Sequence, residues 1–78
     1  MSSSPDTRPA KSIDLIVNGE PVTTPSGGTV RDLIQQLGLK PDLVAVEINR
    51  ELVRKATFAE RHLSPADRVE ILEFVGGG

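Results

Sequence analysis

Few side chains in this 78-residue chain have the means to do chemistry. There is no cysteine, which removes disulfides, thiolate metal sites and a thiol nucleophile. His62, the sole histidine, stands beside Arg61 in a polar stretch and reads as a surface residue. Glu70 and Glu73 lie three apart in a strand-like run, so they face opposite ways and do not form a paired-carboxylate site. Asp67 reads as a turn residue. What remains is the end of the sequence, Gly76-Gly77-Gly78. At average glycine usage, three in a row at a given place arise about three times in ten thousand. Glycines lack Cβ atoms, so such a run is costly to order, but it is thin. Extended, it reaches roughly 10 Å beyond a fold and can carry the Gly78 carboxylate down a channel too narrow for side chains. Taken alone, the run reads more simply as a frayed end. The body of the chain changes that balance.

Nine Lys and Arg against eleven Asp and Glu give a net charge of −2, with both signs scattered. Nucleic-acid partners usually require a basic face and aromatics for stacking, whereas Phe58 and Phe74 are the only aromatic residues. No apolar run approaches the roughly 18 residues of a membrane span, and the N-terminus lacks the apolar core of a secretory signal. A soluble, cytoplasmic protein is expected. The length suits one small domain with a modest core. Residues 1–11 are polar and rich in Ser and Pro, and are expected to form a disordered tail. Residues 12–75 are expected to form the domain, and 76–78 a flexible extension.

The elements that must hold that extension are legible in order. In Ser12–Asn18, Ile13, Leu15 and Val17 alternate with Asp14 and Ile16, a strand pattern. Asn18-Gly19 signals a tight hairpin, and Glu20–Thr24 is the returning strand, with Pro21 pointing to a sheet edge. Thr29 is a good helix N-cap, Asp32 suits the first turn, and Val30, Leu33, Ile34 and Leu37 form one apolar stripe. Gly38 and Pro41 end that helix. Gly27-Gly28 before it resembles a phosphate loop only superficially, because the Gly-Lys-Ser/Thr ending is missing. Leu43–Asn49 is the next strand, with Val44, Val46 and Ile48 on one face. Leu52-Val53 is a short strand-like run, and Thr57 is read as the cap of a single helical turn anchored by Phe58 and Leu63. Ser64-Pro65-Ala66-Asp67 is a turn, and Arg68–Val75 the final strand.

That last strand is mixed. Val69 and Ile71 fit a core face, which sends Leu72 and Phe74 to the other side beside Glu70. Either these two large apolar groups form a docking patch, or they fold back and are covered by other parts of the chain. The sequence pattern leaves both readings open.

The order of these segments and the terminal glycines resemble the ubiquitin-like β-grasp family, and within it the bacterial sulfur carriers of thiamine biosynthesis. The resemblance is carried by Ile16–Glu20 (IVNGE), Thr29–Leu39 (TVRDLIQQLGL), Val44–Val53 (VAVEINRELV) and Asp67–Gly78 (DRVEILEFVGGG). It implies an α+β fold with a mixed sheet of four to five strands packed on one short helix. One departure is Ala66, where such carriers usually have Gly before the Asp; a positive φ there would strain Ala.

The resemblance further implies a carrier, not an enzyme, with no catalytic residue, bound cofactor or metal of its own. An adenylating enzyme related to ubiquitin activators would use ATP to activate the Gly78 carboxylate. Sulfur from a donor such as a cysteine desulfurase would leave a thiocarboxylate on Gly78, and thiazole synthase would take that sulfur into the thiazole ring. Gly76 and Gly77 would thread the partner's channel, and Phe74, Leu72 and Ile16 would supply docking contacts. Neither nucleic acid nor membrane is an expected partner. The rival readings are the small subunit of molybdopterin synthase, which uses the same glycine chemistry, a ubiquitin-like protein modifier, and a plain interaction module.

Overall fold

The computed structural model describes residues 11–74. The chain opens with strand β1 (Ser12–Val17), turns through Asn18-Gly19 and returns as β2 (Glu20–Pro25). Asn18 and Gly19 have φ of +50° and +84°, the double positive φ that makes Asn-Gly the favoured two-residue hairpin. Helix α1 (Val30–Gln36) follows, then a 3₁₀ turn (Pro41–Leu43), β3 (Val44–Ile48), β4 (Glu51–Val53), a second 3₁₀ turn (Lys55–Thr57) and β5 (Arg68–Glu73). The five strands form one sheet in the order β2-β1-β5-β3-β4. β2 therefore lies at an edge, where Pro21 costs no ladder bond. The last strand enters the middle, parallel to β1 and antiparallel to β3. A mixed five-stranded sheet with a single helix on one face is the β-grasp architecture.

Burial follows the alternation of the strands. Leu15, Val17, Val44, Val46, Ile48 and Val69 point inward and meet Val30, Leu33 and Ile34 of α1, while Phe58 and Leu63 close one end. Leu15, Leu33 and Ile34 have no exposed surface. A helix of seven residues is too short to persist alone, so this contact holds it.

Both helix ends are closed by the chain. The Thr29 hydroxyl accepts from the Asp32 amide while Asp32 accepts from the Thr29 amide, a reciprocal capping box. The Val30 and Arg31 amides donate to the carbonyls of Arg61 and Phe58. At the other end Gly38, at φ +76°, donates to Gln35, and Leu39 donates to Ile34, a Schellman closure.

Local boundaries depart from the sequence pattern in three places. The strand expected from Leu43 begins at Val44, because Pro41 opens a 3₁₀ turn in which the Leu43 amide donates to Lys40. It ends at Ile48 because Asn49 and Arg50 both take positive φ (+53° and +73°), making a second tight hairpin into β4. Thr57 does not cap a helical turn. It closes the second 3₁₀ turn, and its hydroxyl donates back to the Arg54 carbonyl. Phe58 and Leu63 are buried as anchors all the same.

Candidate functional site

The candidate site is the end of β5 and the sheet face around it. Gly76, Gly77 and Gly78, the residues expected to carry the chemistry, lie outside the described residues. The strand that leads to them is held on both sides. Toward β3, Glu73 pairs with Val44, and the Phe74 amide donates to the Leu43 carbonyl at 2.7 Å. Toward β1, the backbone ladder closes with the Asn18 amide donating to Val69, where the chain turns away. The Asn18 carboxamide then continues it. Its Oδ1 accepts the Ile71 amide at 2.8 Å and its Nδ2 donates to the Ile71 carbonyl at 3.2 Å. One side chain thus takes the place of another strand residue, so β5 keeps partners on both sides through Ile71.

The start of β5 is fixed as firmly. Asp67 is buried; its carboxylate accepts from the Ser64 amide and from Asn49 Nδ2, so it does serve the turn. Asn49 Oδ1 in turn accepts the Arg68 amide. Ala66 sits at φ +68°, the positive φ that strains a residue with a Cβ.

Leu72 and Phe74 do not fold back. They are 62% and 53% exposed on the sheet face opposite the helix. The register adds neighbours that the strand pattern alone did not join to them. Leu72 pairs with Ala45, Leu43 receives the Phe74 amide, and Leu52 pairs with Glu47, which pairs with Glu70. Leu43, Leu52, Leu72 and Phe74 are the exposed large hydrophobic residues among those described, and all four belong to the β4-β3-β5 side of the sheet. Apolar surface gathered in this way marks an interaction face. Ile16 is not part of it: it is half-buried and pairs with Arg68, four residues before Leu72 and so about 13 Å along the strand.

The other chemically capable residues are dispersed. Glu70 pairs with Glu47 on the outer face while Glu73 pairs with core-facing Val44, so the two carboxylates do not converge. His62 bridges to Thr29, and its Nδ1 lies 3.2 Å from the Gly27 carbonyl. Among the described residues no three His, Cys, Asp or Glu gather to hold a metal. The amides at the start of α1 are all engaged by the chain, which leaves Gly27-Gly28 no free donors for a phosphate. No helix among the described residues is long and apolar enough to cross a membrane.

Three comparisons agree with this arrangement. Two curated sequences named thiazole synthase contain a similar region; that of Magnetococcus marinus is 39% identical over 62 residues, covering 80% of this chain and 19% of the synthase. The chain thus spans about a fifth of the length of those relatives. The sulfur carrier protein ThiS of Bacillus subtilis is 41% identical over 51 residues, 65% of this chain and 77% of that protein. The crystal structure of the thiamine biosynthesis protein ThiS from Geobacter metallireducens superposes with a TM-score of 0.72 at 33% identity, over 85% of this chain and all of that one. The ThiS family profile matches residues 13–78, from the first strand through the glycines, and on this match the chain belongs to the ThiS family.

Proposed function

We propose that this chain is the sulfur carrier of thiamine biosynthesis, acting in the cytoplasm as the substrate of other enzymes and not as a catalyst. The observation that carries the reading is the setting of β5: a central strand, bonded on both sides, runs toward three glycines beside an exposed apolar face. Family membership supplies the chemistry. A terminal carboxyl ordinarily has a pKa of about 3.3–3.7, so at neutral pH Gly78 presents a carboxylate. Its oxygen attacks the α-phosphorus of ATP on an adenylating enzyme, pyrophosphate leaves, and an acyl-adenylate forms. A sulfur nucleophile supplied by a desulfurase then attacks the acyl carbon, AMP departs, and a thiocarboxylate remains. Thiazole synthase takes up that sulfur.

No side chain of this chain is needed as acid or base in these steps. Its part is to present the carboxyl, with Gly76 and Gly77 leaving room for a narrow channel and Leu72 and Phe74 meeting the partner. The likeness of this chain to a fifth of two thiazole synthases supports that enzyme as the sulfur acceptor. The molybdopterin-synthase alternative is not favoured by the family match.

Intact mass spectrometry tests the proposal. Incubation with ATP, a sulfur donor and the cognate adenylating enzyme is expected to replace one oxygen by sulfur at Gly78. An unchanged mass with a demonstrably active enzyme refutes it.

A further inference from the structure

The docking face carries a charge arrangement that apolar contact alone does not explain. β3 and β5 set Glu47 directly opposite Glu70, both exposed. Residues so paired have Cβ atoms about 4.5–5.5 Å apart, and like charges there are destabilising. Among the described residues neither carboxylate has a salt bridge; the one formed is Lys55–Asp42, elsewhere on the molecule. Arg50 and Arg68 border the two glutamates in the adjoining hollow without reaching them as ion pairs. On the opposite side the same glutamates edge a shallow groove of about 400 Å³ walled by Ala45, Leu52 and Leu72. The groove is continuous with the exposed leucines of the docking face.

We propose that this groove receives an arginine side chain from the docking face of thiazole synthase, an inference that rests on the docking reading given above. The chemistry of the groove selects the occupant. Its apolar walls suit the aliphatic stem of a long basic side chain. Two neighbouring carboxylates suit a planar guanidinium with its fork of donors better than a compact ammonium. The repulsion carried in the free protein is relieved when the cation arrives, so the pair contributes more to the complex than to the fold. The occupant is thus a face with a basic side chain set among apolar ones, and a purely apolar or acidic face is disfavoured.

The test compares the full wild-type chain, the Glu47→Gln/Glu70→Gln variant and Leu72→Ala in calorimetric titrations against purified thiazole synthase at low and moderate salt. The glutamine pair is expected to bind roughly tenfold more weakly at low salt, with the difference narrowing as salt rises. It is also expected to melt about 1–5 °C above wild type, because a like-charge pair has been removed. Unchanged affinity in the glutamine pair alongside weakened Leu72→Ala overturns the arginine proposal and leaves the docking face standing. Unchanged affinity in both variants overturns the docking face as well, while the carrier chemistry is read separately from the mass of Gly78. A lower melting temperature in the glutamine pair shows that Arg50 and Arg68 already satisfy the glutamates, and this too overturns the proposal.

Discussion

Asn18 does two jobs that are separable by mutation. It adopts the positive φ of the first hairpin, and its carboxamide pairs with both backbone groups of Ile71. Asn18→Gly keeps the turn and loses the pairing. It is expected to cost about 1–2 kcal/mol in chemical denaturation, near the net contribution of two hydrogen bonds. Asn18→Ala loses the turn preference too and should cost more. Ala66 is the opposite case, a residue at φ +68° whose Cβ is a disadvantage. Ala66→Gly is expected to stabilise the fold by about 0.5–1 kcal/mol and raise the melting temperature. The strain was legible from the sequence through the family pattern. The second job of Asn18 was not, because nothing local relates it to a residue 53 positions away.

Among the elements, α1 was the most legible and also tests how the fold is held. Its apolar stripe and the Thr29 cap follow from local spacing, and both are as expected. Thr29→Ala is expected to cost about 1 kcal/mol and Leu33→Ala about 2–5 kcal/mol, measured by urea unfolding, since the cap is one interaction and Leu33 is wholly buried. The hairpins differ in legibility for a physical reason. Asn18-Gly19 announces its turn, whereas Asn49-Arg50 makes a similar one with an arginine at φ +73°, a conformation imposed by β3 and β4 and by the bonds from Asn49 to Arg68. Thr57 shows the limit of reading a cap from residue type. Its hydroxyl had a nearer acceptor behind it, at Arg54.

At the scale of the whole molecule, the docking face and the glycines are expected to be separable in function. Phe74→Asp alters an exposed residue, so stability should change by no more than about 0.5 kcal/mol. Its affinity for the adenylating enzyme and thiazole synthase should fall by about tenfold or more, measured by titration. Deleting Gly77 and Gly78 should leave the melting temperature unchanged, because the core lies between Leu15 and Val69, yet abolish thiocarboxylate formation in the mass spectrum. The outward side of β5 was legible from alternation, including the exposure of Leu72 and Phe74. The contributions of Leu43 and Leu52 and the exclusion of Ile16 were not. They depend on which strand lies beside which, and that is decided by packing across the entire chain.

The parallel pairing of β1 with β5 has a mechanical consequence. A protein whose end is drawn into another's channel feels a pull along that end. Here the pull would run along the central strand, across the direction of its hydrogen bonds, and load those to β1, Asn18 and β3 together. Bonds loaded in shear must fail at once, whereas an edge strand peels away one bond at a time. The molecule can therefore be tugged by its tail and released without unravelling, as suits a carrier used again and again.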